Sequence, residues 1–349
     1  MPKILLIPGD GIGPEVMNEA KKLLSLIENK LSISLELDEV DWGAERYLRE
    51  GIGLPQKALL EIPKSYNALL FGALGDPRIP DMRHGREILL GLRFGLDLFI
   101  NFRPVKLYHP RLSVLKNDPM IDWALFRENT QDIYLGLGHS THQGTPDEIT
   151  VDESRHTFAG VYRIIKAAFK YALLHERKSV TLIDKSNAIQ FGGSLWQRVF
   201  RGLRKEYPTI QAKHLFVDVA AMKMVMDPAY FDVIVTSNLF GDILSDLGAG
   251  LIGGLGLCSS ANINPGGIGL FEPVHGSAPD IAGMNKANPA AMFLTVGLMM
   301  QHLGYSSVAF LIEEAIKHSI QEGAVTVDLG GGLSCTEASA HILNFLQQL

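Results

Sequence analysis

Asn238-Leu-Phe-Gly-Asp-Ile-Leu-Ser-Asp246 sets two carboxylates four residues apart, directly after the apolar run Phe231 to Thr236. That run, with Phe231, Val233, Ile234 and Val235 closed by Thr-Ser-Asn, reads as a buried strand ending in a loop. If a helix starts near Gly241, Asp242 and Asp246 share one of its faces, where like charges repel unless a cation sits between them. Oxygen ligands of this kind suit hard divalent cations such as Mg²⁺ or Mn²⁺. The alternative is that Asp242 merely favours a helix N-terminus and Asp246 a solvated face. Three arginines, Arg93, Arg103 and Arg127, stand at strand or helix ends. Each alone reads as a surface ion pair. Beside an acidic pair, the three suggest a substrate with several carboxylates, because guanidinium grips carboxylate as a bidentate fork. Tyr134 follows Arg127 by seven residues, and a buried structural tyrosine is one reading of it. Lys185, in Asp184-Lys-Ser-Asn187, is either an ordinary exposed lysine or a desolvated base. Asp218 closes another strand, as a third acidic ligand or a helix N-cap.

The elements that must position these groups alternate. Lys3 to Ile7 is an apolar strand broken by Pro8-Gly-Asp-Gly-Ile-Gly-Pro14, and a helix from Glu15 to about Asn29 follows. Strands are expected near Ile33 to Leu37, Asn67 to Gly72, Ile100 to Pro104, Ile121 to Phe126, Ser179 to Ile183 and His214 to Val217. Helices are expected near 44–48, 56–60, 154–175 and 193–207, with a short one from Ala220. Arg83 to Phe99 looks like a loop leading into a helix. Gly136 to Glu153 is polar and reads as a disordered loop or an exposed hairpin, which could swap onto a partner. After Leu251 the chain turns glycine-rich, and Phe271 to Gly283 reads as a loop too dense in special residues to be passive. Three helices, from about Asn288, Ser306 and Thr336, close it. Strands alternating with helices imply a parallel or mixed sheet with covered faces.

Bulk properties set the outer bounds. With 349 residues, one large or two moderate cores fit; there is no linker-like tract, so two domains would be interleaved. The net charge of −6 gives no basic footprint for nucleic acid or an anionic membrane. Cys258 and Cys335 have no metal-like spacing and fit a reducing compartment. The longest apolar run, Pro289 to Met300, is too short to span a bilayer, and no signal peptide is recognisable, so a cytoplasmic protein is expected. Gly9-Asp-Gly-Ile-Gly13 follows a strand but is not G-x-G-x-x-G, Pro14 intrudes, and no suitable acidic residue ends the next strand. The standard dinucleotide fingerprint is therefore rejected.

Taken together, Gly9-Asp-Gly-Ile-Gly-Pro-Glu15, Leu92-Arg93, Phe102-Arg103-Pro104, Arg127-Glu-Asn-Thr130 with Tyr134, Asp184-Lys185, Asp218 with Ala220-Ala-Met222, the stretch Asn238 to Asp246, and Glu272 to Gly283 resemble, in order, the β-decarboxylating dehydrogenase (isocitrate/isopropylmalate dehydrogenase) family. The resemblance implies an isopropylmalate-dehydrogenase-like α/β fold: two interleaved α/β domains sharing a large mixed sheet, with a non-Rossmann cofactor site. Residues 1–99 plus 252–349 would bind the cofactor; 100–251 would carry dimerisation and substrate binding, with an intersubunit arm near 136–153. It implies Asp218, Asp242 and Asp246 as metal carboxylates, and Arg93, Arg103 and Arg127 as grips on the substrate carboxylates, with Asp218 also near the substrate. Lys185 would deprotonate the hydroxyl and Tyr134 protonate the enol. NAD would lie along Glu272, His275, Gly276, Ser277, Ala278, Pro279, Asp280 and Ile281, with Asn288 at the adenosine and Asn187 at the nicotinamide. Asp280-Ile281 resembles the NAD-type pair, since a carboxylate accepts from ribose hydroxyls and repels a 2′-phosphate.

In the family Lys185 and Asp218 reach the site from a neighbouring subunit, so a homodimer with shared active sites is implied. The implied reaction is metal-dependent oxidative decarboxylation of a 2-hydroxy acid. Leu89 and Leu90 resemble the apolar pair that holds an isopropyl group, favouring (2R,3S)-3-isopropylmalate. Arg86 stands where many isopropylmalate enzymes have Glu, with Glu87 one place late, which keeps a homoisocitrate-type substrate open. Val219 and Ser237 are smaller departures from the pattern. Tartrate/D-malate and isocitrate are further alternatives, as is a non-catalytic homodimeric paralogue.

Overall fold

The computed structural model describes residues 1–116 and 119–349. It divides into two compact units: Met1–Leu98, Lys106–Pro119 and Ala249–Leu349 form one, and Phe99–Val105 with Met120–Gly248 form the other. Strands in chain order are β1 (Lys3–Gly9), β2 (Glu36–Glu39), β3 (Ala68–Ala73), β4 (Ile100–Lys106), β5 (Asp122–Glu128), β6 (Gly138–Thr141), β7 (Ile149–Asp152), β8 (Ser179–Asp184), β9 (Gln211–Phe216), β10 (Val233–Thr236), β11 (Ser259–Ile263) and β12 (Gly269–Pro273). The principal helices are α1 (Gly13–Leu31), α2 (Phe158–Leu174), α3 (Gln190–Leu203), α4 (Val217–Met226), α5 (Asn238–Leu251), α6 (Ala290–His302), α7 (Ser306–Gln321) and α8 (Cys335–Gln348). The expected α/β architecture is present. Among the described residues no helix is long and apolar enough to cross a membrane.

In the first unit the strand order is β2-β1-β3-β12-β11, parallel except for the antiparallel pair β11–β12. Its β3 is apolar and buried throughout, as a parallel strand covered on both faces must be. One core joins Leu5, Ile7, Trp42, Leu69, Phe71 and Leu270 to Ile88 and Leu92 of a helical stretch, 83–95. That stretch, read from sequence as a loop entering a helix, is helical from Arg83 and widens to a π-turn over Arg86–Leu90. π-Turns are rare and concentrate at functional sites.

The glycine-rich stretch hides β11, whose Ser-Ser-Ala-Asn-Ile lacks the branched run expected of a buried strand. Its polar side chains are satisfied instead: Ser260 Oγ donates to Glu272 O at 3.0 Å, and Asn262 Nδ2 to Leu270 O at 3.2 Å. Its partner β12 takes up Phe271 to Pro273, so the expected loop begins only at Val274.

In the second unit the order is β4-β5-β10-β8-β9, with β10 parallel to β5 and β8, and β8 parallel to β9. Val161, Ile164, Ile165, Ala168, Phe169 and Ala172 bury one stripe of α2. That helix starts at Phe158, not Ser154, because the Thr157 side chain caps it by accepting from Gly160 N at 3.1 Å. The polar segment is an antiparallel hairpin, β6–β7, with every strand side chain exposed. Helix α5 begins at Asn238, three residues before the expected Gly241, which puts Asp242 in its second turn. The reason is a cap supplied from far away: Leu239 N donates to Asp132 Oδ2 at 3.0 Å, a contact that no local pattern displays.

Candidate active site

In the second unit, five of the expected residues meet. Arg127, at the end of β5 and 1% exposed, crosses α5 at Gly241, where an added Cβ would lie 2.6 Å from Arg127 Cγ. Its Nη1 donates to Asp242 Oδ1 at 2.5 Å and its Nε to Asn238 Oδ1 at 2.8 Å. The guanidinium also lies 5.0 Å from the Tyr134 ring centre. Tyr134 OH donates to Asp242 Oδ2 at 2.8 Å. Arg103, from β4, is aimed by Asn101 Oδ1 at 2.8 Å and donates to Ser245 Oγ at 2.6 Å. It also reaches Asp242 Oδ1 at 3.4 Å and Asp246 Oδ1 at 3.5 Å. Sequence reading missed Asn101 and Ser245, whose only signal is that Asn101 stands two residues before Arg103 and Ser245 directly before Asp246.

The electrostatics follow from this crowding. Burial, with the neighbouring Asp242 adding to it, pushes the Asp246 carboxyl above its ordinary value against the pull of Arg103. Burial likewise raises the Tyr134 phenol; Arg127 opposes, and Asp242, which accepts the hydroxyl's hydrogen bond, reinforces. Tyr134 is therefore a protonated donor at neutral pH. The two carboxylates remain open to solvent, their side chains 41% and 56% exposed, and their oxygen donors suit a hard cation. Among the described residues of this one chain, no group of three acidic, His or Cys side chains is arranged to hold a metal.

Asp218 is not with that pair. It lies in the first turn of α4, where the N-cap position belongs to Phe216, and its carboxylate takes Lys185 Nζ at 2.5 Å. This hydrogen bond pulls the Asp218 carboxyl below its ordinary value. Lys185 follows Asp184, a buried carboxylate that accepts from Gln197 at 2.7 Å, His214 at 2.9 Å and Ser186 N at 3.1 Å, fixing the end of β8. Asn187, next along, is exposed.

The first unit holds the expected cofactor loop and clamps it with the Gly9–Gly13 turn. Ile12 N donates to Ser277 O at 2.8 Å, and at Gly11 (φ +57°) an added Cβ would fall 2.0 Å from that oxygen. Only glycine fits there. Asp10 secures the turn, accepting from Ala44 N at 2.6 Å and Gly75 N at 3.0 Å, with buried His84 Nε2 also at 3.0 Å. Along the loop Gly276, Pro279 and Asp280 are exposed, Ala278 and Ile281 half-buried, and Ser277 buried. Asn288 Nδ2 donates to Asp328 Oδ2 at 2.9 Å, while its Oδ1 accepts from Ala290 N at 2.9 Å. His275 Nδ1 faces Gly276 O at 3.0 Å, and its Nε2 is buried without a partner. An orphaned nitrogen at His275 and an exposed carboxylate at Asp280, both on this loop, fit a loop built for a polar ligand such as a dinucleotide.

Burial holds the His275 imidazole below its ordinary value. A base whose folded pKa is depressed gives stability that is present above the unfolded value, near 6.5, and lost as pH falls through it. The urea midpoint is therefore expected to drop from pH 7.5 to pH 5.5, and to drop less in His275→Gln. An equal drop in both proteins would remove His275 from the account.

Also in the first unit, Arg93 Nη2 donates to Glu272 Oε1 at 2.7 Å, and Asn262 donates to the same oxygen at 2.8 Å. Glu272 thus sits in strand β12 as an anchor for Arg93, whose own Nε is buried without a partner. Leu89 packs partly against the core and Leu90 is half-buried. Glu87 Oε1 accepts from Gly53 N at 3.0 Å and Leu54 N at 3.2 Å, leaving Arg86 as the exposed charge of the π-turn.

Comparison with known proteins identifies the family. The family model described as isocitrate/isopropylmalate dehydrogenase matches residues 3–342. The chain is 44% identical over 341 residues to the 3-isopropylmalate dehydrogenase of Thermobifida fusca (strain YX), covering 96% of this chain and 95% of that one. It is also 44% identical to the 3-isopropylmalate dehydrogenase of Streptomyces griseus subsp. griseus, over 96% and 98% of the two chains. Among solved structures, isocitrate dehydrogenase from Methylococcus capsulatus superposes with a TM-score of 0.90 at 36% identity, covering 100% of each chain. With its motifs on these elements and a match across nearly its whole length, the chain belongs to the isocitrate/isopropylmalate dehydrogenase family.

Proposed function

We propose that the protein catalyses NAD-dependent, divalent-metal-dependent oxidative decarboxylation of (2R,3S)-3-isopropylmalate to 2-oxoisocaproate, a step of leucine biosynthesis. The observation that carries this reading is the convergence of Arg127, Arg103 and Tyr134 on Asp242, beside Asp246. Arg127 and Arg103 supply forked donors for the substrate carboxylates, and Arg93, with its unpartnered Nε, supplies another. Asp242 and Asp246, with Asp218 from a second copy, would hold Mg²⁺ or Mn²⁺; when bound, such an ion polarises the developing carbonyl and stabilises the enolate. Lys185 takes the hydroxyl proton, and Tyr134 returns a proton to the enol carbon after CO₂ leaves. Asp280 accepts from the ribose hydroxyls of NAD, His275 and Asn288 border the adenosine, and Asn187 the nicotinamide. Residues 1–99 with 252–349 form the cofactor domain in this reading, and 100–251 the substrate domain.

A homodimer is part of the proposal. Within the second unit large apolar side chains stand exposed: Phe158 at 58%, Phe191 at 94%, Met222 at 55%, Met226 at 75% and Ile243 at 56%. Apolar side chains of this size would be covered in an interface between two copies. The cytoplasm is the proposed location.

A substrate panel tests the assignment. NADH formation is expected with 3-isopropylmalate and Mg²⁺ or Mn²⁺, and at least tenfold less with D-malate, isocitrate or homoisocitrate. Preference for homoisocitrate would assign exposed Arg86 to an extra carboxylate and overturn the isopropyl reading. Absence of turnover and of metal binding by calorimetry would favour a non-catalytic paralogue.

A further inference from the structure

Asp132 has φ +74° and is 4% exposed. A left-handed backbone is uncommon outside glycine, asparagine and aspartate, so a buried carboxylate there is held by what surrounds it. Its Oδ1 accepts from Ser154 Oγ at 2.5 Å and Ile133 N at 3.0 Å, and its Oδ2 from Leu239 N at 3.0 Å. Its own N–H donates to Arg155 O at 2.9 Å. His156 Nε2 stands 3.8 Å from Oδ1 and 2.8 Å from Ser154 Oγ. Burial acts to raise the Asp132 carboxyl, yet these donors outweigh it and hold the group below its ordinary value.

Three pieces of the second unit meet at this one side chain. Asp132 opens the 3₁₀ turn Asp132–Leu135, which carries Tyr134. Leu239 belongs to the first turn of α5, which carries Asp242 and Asp246, and its N–H has no acceptor within the helix. The negative charge also suits that helix terminus. Ser154 to His156 is where the chain returns from the β6–β7 hairpin. A second tie runs beside the first, from Asn238 Nδ2 to Gln131 O at 3.1 Å.

We propose that Asp132 is a positioning residue for the reaction: it locks the Tyr134 turn to the first turn of α5, and so keeps the Tyr134 hydroxyl on Asp242. The catalytic role given to Tyr134 rests on the reading under Proposed function; the mechanical coupling does not. A displacement of about 1 Å in such a constellation lowers rates by up to about 10²-fold.

The test compares Asp132→Asn, which keeps shape and tolerates the left-handed backbone, with Asp132→Gly, which frees the backbone and removes the side chain. In the dimer, kcat for the preferred substrate is expected to fall about tenfold or more in both, with KM within about threefold. Without substrate, amide hydrogen exchange is expected to rise together over 131–137 and 238–246. Wild-type kcat in Asp132→Asn, or recovery in Asp132→Gly, would overturn the proposal. So would an exchange increase confined to 138–156. If the wild-type enzyme turns over none of the panel substrates, the function reading fails, and the exchange measurement still decides the coupling.

Discussion

Asp242→Asn is expected to lower turnover by about 10³-fold and to weaken Mg²⁺ or Mn²⁺ binding at least tenfold, while the dimer persists. Two effects add. The amide offers one neutral oxygen where the carboxylate offered two charged ones, and electrostatic stabilisation of developing charge is worth several kcal/mol. The Arg127 guanidinium, 1% exposed, also loses its charged partner at 2.5 Å, while its Nε still donates to Asn238 Oδ1 at 2.8 Å. Removing one partner of a fully buried pair costs about 3–5 kcal/mol; with the Asp242 side chain 41% exposed, about 1–2 kcal/mol of stability is the expected loss. Asp246→Asn separates the two effects, because Asp246 meets Arg103 only at 3.5 Å. It should weaken metal binding with little loss of stability. Calorimetric titration with the metal and a denaturation midpoint measure both, and unchanged kinetics in Asp242→Asn would refute the metal role.

How much of this was legible depends on whether the deciding contact is local. Asp242 and Asp246 are readable because helical spacing alone places them on one face, and the apolar run before them fixes strand β10. The buried strands β3, β5, β8 and β10 declare themselves by their branched and aromatic runs. Helix starts set by distant or side-chain caps do not: α5 begins where Asp132 caps it, and α2 where Thr157 does. Strand β11 was hidden because its stability comes from Ser260 and Asn262 bonding across to β12, not from apolar residues. Rejecting the Gly9–Gly13 turn as a dinucleotide fingerprint left its job unassigned, since a clamp on Ser277 lies 265 residues away in sequence. The same limit applies to Glu87. Its bonds to Gly53 N and Leu54 N mark it as an anchor for the helical stretch, which the count from Arg93 could not reveal.

Tyr134→Phe is the sharper probe of the chemistry, because it removes one oxygen and leaves the ring on Arg127. The phenol is held protonated by burial and by Asp242, so at neutral pH its proton is available for donation. A positioned general acid contributes about 10²–10⁴-fold, and a loss of about 10²-fold or more in kcat is expected. Because the hydroxyl serves the enol after oxidation, KM should stay within a few-fold. Stability should fall only modestly: the lost hydrogen bond to Asp242 Oδ2 at 2.8 Å is worth about 1 kcal/mol, and Arg127 still neutralises that carboxylate. The pairing of a large kcat loss with a small stability loss distinguishes an acid from a structural tyrosine, the alternative its sequence position allowed. A variant with near-normal kcat and a stability deficit of the same size would return Tyr134 to the structural role. It would also remove the catalytic reason for the coupling at Asp132, leaving a mechanical tie between the Tyr134 turn and α5.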